Sequence, residues 1–279
     1  MRAVGNSPNA AVAAARLGLK SGLVSNMGDD QNGKECLEQL NREHVNTDYI
    51  KIHEGKPTNY HYVLWYEDER TILIKHETYD YSLPSIGTPR WIYLSSLGES
   101  GAPIHSELIK YLKDHPEINF AFQPGTFQIS LGYEKLKELY ECTKVFFCNA
   151  QEAQKILHTE EKNIPRLLAK IKELGPEITV ITDGKKGAYL NYEKEVFFMP
   201  PYPDSSPPYD RTGAGDAFSS TFVSALALGK NPLEAITWAP INSMSVVQYI
   251  GAQEGLLTRK KLERYLKTAP KNYKPEMMI

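Results

Sequence analysis

Few cysteines, no long apolar run and no surplus of charge mark this chain, and each absence removes a class of function. Only three cysteines occur, Cys36, Cys142 and Cys148, an odd set whose spacing suits neither a disulfide framework nor a common metal motif. They read as buried thiols of a reducing compartment, so the expected location is the cytoplasm. No stretch approaches the roughly 20 apolar residues of a membrane-spanning helix, and Met1-Arg2-Ala3 leads into no signal-peptide core. A net charge of -2 with both signs interspersed offers no basic field, so neither nucleic acid nor membrane is an expected partner. The histidines at 44, 53, 61, 76, 105, 115 and 158 show no ligand spacing such as HExxH. No GK[ST] closes a Walker loop, and no G-x-G-x-x-G follows an early strand, which speaks against a dinucleotide oxidoreductase.

What is present is an alternation. Apolar runs rich in β-branched and aromatic residues predict strands at Gly22 to Ser25, Trp91 to Ser95, Ile118 to Gln123, Lys144 to Asn149 and Glu177 to Thr182. Helical periodicity predicts helices at Pro8 to Leu17, Gly33 to Glu43, Pro103 to Lys113, Tyr133 to Tyr140, Gln151 to Leu157 and Ile164 to Leu174. That order argues for a parallel sheet with helices on both faces. Two regions break it: a hairpin, Tyr60 to Tyr66 and Thr71 to His76 joined by Glu67-Asp68-Glu69-Arg70, and three successive helices, Asp216 to Leu228, Pro232 to Tyr249 and Thr258 to Lys267. In open α/β sheets, ligands sit beyond the strands' carboxyl ends, where helix N-termini present their amides.

One helix opens on an unusual segment, Asp210-Arg-Thr-Gly213-Ala214-Gly215-Asp216. Glycines there allow a tight turn that exposes successive amides, and with the helix dipole those amides form an anion-binding concavity. A carboxylate in the first turn can serve the dipole alone, or can take the proton of an attacking hydroxyl while the amides hold a phosphoryl group in transfer. The stretch DRTGAGDAF resembles the D-T-x-G-A-G-D-x-F signature of the ribokinase family, the PfkB sugar kinases, with Arg211 where threonine is usual. The resemblance implies a ribokinase-like three-layer αβα fold with a mostly parallel central sheet and a small β lid, in one domain over residues 1–279 with the lid inserted at about 50–80. It implies Asp216 as catalytic base, the amides of Gly213, Ala214, Gly215 and Asp216 as anion hole, and Asp210 at a monovalent-cation site for K+.

Other segments carry the same resemblance. VGNSPNAAVAAARLG, residues 4–18, is similar to the family's G-G-x-x-x-N-x-A helix opening, with Val4 in place of the first glycine; it implies acceptor contacts at Gly5, Asn6 and Asn9. Members usually carry a strand and a sugar-binding aspartate ahead of that opening, so a sheet short of its N-terminal strand is expected. Asn149-Ala-Gln-Glu152 matches the N-x-x-E motif, which implies Mg2+ near Glu152 through water and phosphates near Asn149; the same residues also spell a capping box. VITDGKKGAYL aligns Thr182, Gly184 and Gly187 with T-x-G-x-x-G, and Tyr249 to Gln253 resembles the segment over the adenine, placing Gly251 and Ala252 at the nucleotide. Thr58 and Asn59 fall where the lid meets the acceptor, and exposed hairpins of this kind serve several members as homodimer surfaces. The resemblance thus implies an ATP-dependent kinase, with ATP and a small acceptor as partners. The acceptor stays open between a sugar such as ribose or fructose and a nucleoside. A nucleotide-binding protein without catalysis is the remaining alternative.

Overall fold

The computed structural model describes residues 3–66, 69–204 and 206–278 of the 279. The chain runs through α1 (Asn6–Arg16), β1 (Ser21–Gly22), β2 (Ser25–Gly28), α2 (Gln31–Arg42), β3 (Val45–Asn46), β4 (Ile50–His53), β5 (Tyr60–Tyr66) and β6 (Glu69–Lys75). It continues through β7 (Trp91–Leu94), α3 (Pro103–Asp114), β8 (Asn119–Phe122), α4 (Thr126–Leu131), α5 (Tyr133–Cys142), β9 (Val145–Asn149), α6 (Ala150–Ile156), α7 (Ile164–Glu173) and β10 (Ile178–Thr182). The last elements are β11 (Ala188–Tyr192), β12 (Glu195–Met199), α8 (Ala214–Ala227), α9 (Pro232–Val246), α10 (Arg259–Lys267) and β13 (Glu276–Met278).

A seven-stranded sheet of order β7-β8-β9-β10-β11-β12-β13 forms the middle layer. Its first four strands are parallel, and β11, β12 and β13 extend it as an antiparallel meander. Strand β9 shows why the sheet is covered twice. Val145 and Phe147 join the core under α8 and α9, while Phe146 and Cys148 join the core under α3, α5 and α7, as alternate side chains of a pleated strand must. A third core lies beside α1 and α2, where the small side chains Ala11 and Ala13 let α1 approach α8 closely.

The single strand expected at Gly22 to Ser25 is instead two short ones, and neither belongs to the large sheet. Strand β1 pairs with β3 and β2 pairs with β4, both in parallel. Gly22 packs under the Tyr49 ring, where a Cβ would come within 3.3 Å, and the chain changes partner just after it. Among the described residues, strands β5 and β6 pair only with each other; of the expected connecting turn, Glu67 and Asp68 lie outside the described residues, while Glu69 and Arg70 already belong to β6. The feet of this hairpin are cross-braced: Tyr79 Oη donates to the Pro57 carbonyl at 2.6 Å, Lys56 Nζ to the Thr78 carbonyl at 2.7 Å, and the Glu77 amide to Asn59 Oδ1.

Candidate active site

Helix α8 begins where the chain is bent back on itself. Gly213 is its N-cap, with φ 80° and ψ 1°, a left-handed conformation that glycine adopts without strain. A Cβ there would lie 2.4 Å from the Ala252 Cβ, so the 250–254 segment rests directly on the turn. The amides of the first helical turn, Gly215 and Asp216 among them, have no intrahelical carbonyl to bind, the arrangement that lets a helix N-terminus take an anion. Two hydroxyls brace the turn from behind: Ser243 Oγ donates to the Ala214 carbonyl and Ser220 Oγ to that of Asp216, each at 2.6 Å.

Asp216 is 8% exposed. Its two oxygens accept from two asparagines of α1: Asn6 Nδ2 reaches Oδ1 and Asn9 Nδ2 reaches Oδ2, both at 2.8 Å. Gly5 makes this convergence possible, because its φ of 133° turns the chain into α1 with the helix N-terminus toward α8. Burial raises the Asp216 carboxyl above its usual range, against the two amide donors, which lower it. The outcome is a carboxylate held in one orientation and made more basic than a surface aspartate, which suits it to accept a proton.

The surroundings add groups that the sequence signatures did not single out. Ser7 and Ser95 share a hydroxyl hydrogen bond at 2.6 Å, tying α1 to the end of β7. Tyr93 of β7 donates its hydroxyl to Gln123 Oε1, and burial together with the Asp216 charge holds its phenol well above the usual range. Gln123 follows the end of β8, and its Nε2 lies 4.0 Å from where a Gly215 Cβ would stand. Tyr93 was legible only as a strand residue: nothing in WIYLS marks which of its side chains faces a site.

Asn149 and Glu152 form the capping box that their spacing allows. The Asn149 amide donates to Glu152 Oε2 at 2.8 Å, and the Glu152 amide to Asn149 Oδ1 at 2.9 Å. Burial raises the Glu152 carboxyl, the Asn149 amide opposes that, and the Asp216 charge adds to it, so the two carboxylates feel each other. Thr182 stands beside Asn149 in the β9–β10 register, and the turn after it carries Gly184 and Gly187 at positive φ. Asp210 is buried; its Oδ1 accepts from the Thr212 amide at 2.9 Å and its Oδ2 from the Gly251 amide at 3.0 Å, which joins the loop before α8 to the one after α9. No three His, Cys, Asp or Glu side chains converge among the described residues. A cation that keeps most of its waters needs no such cage, and the hard oxygens of Glu152 fit Mg2+.

Thr58 and Asn59 are placed differently. Thr58 Oγ1 donates to Asp30 Oδ1 at 2.6 Å and accepts from the Gly28 amide at 3.1 Å, while its own amide donates to Asp30 Oδ2 at 3.0 Å. Asp30 is also the N-cap of α2, through Gly33. Among the described hydrogen bonds, those of Thr58 and Asn59 hold the hairpin's foot, and none joins either residue to Asp216.

Comparison with known proteins is consistent across sequence and structure. The family model described as pfkB family carbohydrate kinase matches residues 1–259. A ribokinase of Bacillus subtilis is 30% identical over 268 residues, covering 94% of this chain and 87% of the relative. Among solved structures, Arabidopsis thaliana ribokinase complexed with ribose and ATP superposes with a TM-score of 0.81 at 23% identity, over 95% of this chain and 87% of that one. The Methanocaldococcus jannaschii nucleoside kinase superposes with a TM-score of 0.79 at 21% identity, over 95% and 86%. The central sheet between helical layers is accordingly ribokinase-like. By the span of that match, this chain belongs to the pfkB family of carbohydrate kinases, phosphotransferases with an alcohol acceptor.

Proposed function

We propose that this chain transfers the γ-phosphoryl group of ATP to a hydroxyl of a small sugar such as ribose or fructose. One observation carries the reading: Asp216 is buried in the first turn of α8, both oxygens held by Asn6 and Asn9, beside amides that α8 itself cannot satisfy. The acceptor hydroxyl lies against Asp216, whose carboxylate takes its proton as the acceptor oxygen bonds to the γ-phosphorus. The bond from that phosphorus to the β–γ bridging oxygen breaks, and ADP leaves with the electron pair. The Gly213, Ala214, Gly215 and Asp216 backbone holds the transferring group, a contribution of about 10²–10³ in kcat per well-placed donor.

Gly5, Asn6 and Asn9 line the acceptor side; Thr58 and Asn59 set the hairpin that covers it. Thr182, Gly184, Gly187, Gly251 and Ala252 line the nucleotide, with Asn149 and Glu152 at its phosphates. Kinases of this family use ATP with Mg2+. When bound by Glu152 through water, Mg2+ supplies charge neutralisation at the β- and γ-phosphates. Asp210 would organise a K+ site, a role supported by its ties to the 212 and 251 backbones. The domain is single, with the hairpin as its lid. Tyr62 and Leu73, opposite each other on the hairpin and 57% and 51% exposed, are the surface through which two copies would pair. Free cysteines, two of them buried, support a cytoplasmic location.

The test is ATP consumption by the purified protein with Mg2+ and K+ across pentoses, hexoses and nucleosides. Turnover with a sugar at least about tenfold above any nucleoside is the expected result. A nucleoside preference would move the acceptor class, and nucleotide binding by calorimetry without turnover on any acceptor would overturn the kinase reading.

A further inference from the structure

An asparagine amide has nearly the same shape when its oxygen and nitrogen are exchanged, so its neighbours decide which end faces a carboxylate. For Asn9 the deciding neighbour is Gln253, 2% exposed, whose Nε2 donates to Asn9 Oδ1 at 3.0 Å. That leaves only the N–H end of Asn9 for Asp216. The same Nε2 donates to the Ala3 carbonyl at 2.6 Å, Gln39 Nε2 donates to Gln253 Oε1 at 3.1 Å, and Gln39 Oε1 accepts from the Ala3 amide at 3.3 Å. Backbone groups cannot exchange roles. Ala3 therefore fixes the polarity of a closed ring of Ala3, Gln39 and Gln253, and the ring fixes Asn9. Turning Gln253 over would set its oxygen against two acceptors, the Ala3 carbonyl and Asn9 Oδ1, and its nitrogen against one donor, Gln39 Nε2, all in a buried site.

We propose that Gln253 is a positioning residue for phosphoryl transfer: it locks the amide of Asn9 so that a donor always meets Asp216 Oδ2. Along the path from the Ala3 amide through Gln39, Gln253 and Asn9, each donated hydrogen points toward the carboxylate, an arrangement in which successive bonds polarise one another in favour of the ionised base. The backbone of Gln253 is held as well, since Arg16 of α1 donates to its carbonyl and to that of Leu256, both at 2.8 Å, while pairing with Glu43. The inference rests on Asp216 as the base. The titratable groups that face Asp216 from other elements are Glu152 of α6 and Tyr93 of β7, and both stay unchanged in the test.

The experiment is the pH dependence of kcat for Gln253→Leu. Loss of the lock lets Asn9 turn its oxygen inward, which disfavours the ionised base and moves the acidic limb to higher pH. About one pH unit is expected, or about tenfold in rate below the limb. Gln39→Leu, one bond farther out, should move the limb the same way by less, and serves if Gln253→Leu does not fold. In an Asn9→Ala background, Gln253→Leu should move the limb no further, because the two act in series. A lowered melting temperature with an unmoved limb, or additive shifts in the double variant, overturns the proposal. Turnover surviving in Asp216→Asn would instead remove the base itself, so the two failures are told apart.

Discussion

Asp216→Asn should leave a folded, nucleotide-binding protein that scarcely turns over. Asp216 offers two acceptors to two donors, whereas an asparagine offers one acceptor and one donor of its own. Gln253 prevents Asn9 from turning, so the new oxygen must face Asn9 and the new amide must face Asn6, which is only partly buried and free to turn over. The substitution loses a charge-assisted hydrogen bond, about 1.5–3 kcal/mol, and relieves a desolvation cost of several kcal/mol for a buried carboxylate. These oppose each other, and a net of about 1–2 kcal/mol would move the midpoint by only a few degrees in a chain of this size. Removing a general base costs about 10²–10⁴ in rate.

Stability adds a sign that can be checked. Burial raises the Asp216 carboxyl in the folded state, so the fold favours its protonated form. The wild type therefore loses stability relative to the variant as pH rises from the unfolded value of 3.8 through the raised folded one. Coupled measurement of ADP release, calorimetry with ATP, and urea midpoints across pH give all three quantities. Turnover within about tenfold of wild type would refute the base, and a wild type that gains stability relative to the variant as pH rises through that window would refute burial as the cause of the shift.

Two further substitutions probe the frame around the site. Gly213→Ala demands a left-handed alanine and a Cβ 2.4 Å from that of Ala252, so it should lower stability by about 1–3 kcal/mol and cut kcat at least about tenfold; a wild-type melting curve would show that the turn has other room. Thr58→Val removes a hydroxyl that serves both Asp30 and the Gly28 amide, and should cost about 1–3 kcal/mol in a denaturant titration. An unchanged midpoint there would mean that the hairpin's foot is not held by this residue.

How much was legible follows from distance along the chain. The opening of α8 reads directly, because glycines, carboxylate and helix lie within seven residues. So does the capping box at Asn149 and Glu152, which needs only three. The ring that orients Asn9 does not: Gln39 and Gln253 are 214 positions apart, and each looks like an ordinary polar residue of a helix or loop. Thr58 was legible as a place but not as a bond, since its partner Asp30 precedes it by 28 residues. Strand β12 carries Val196, Phe197 and Phe198 in succession and β13 has three residues, so neither shows the alternation that marks a half-buried strand. Strands β1 and β2 ran together because a change of partner leaves no mark in composition.

Helix α2 has a mechanical consequence. At its first turn, Asp30 grips Thr58 and with it the braced foot of the β5–β6 hairpin; nine residues on, Gln39 grips Gln253. The two attachments are about 14 Å apart on one continuous rod. A hairpin that moved as the proposed lid would either carry this rod along or break its hold at Asp30. The position of the hairpin and the orientation of Asn9 are thus geared to one another through α2, and loosening the hold at Asp30 would uncouple them.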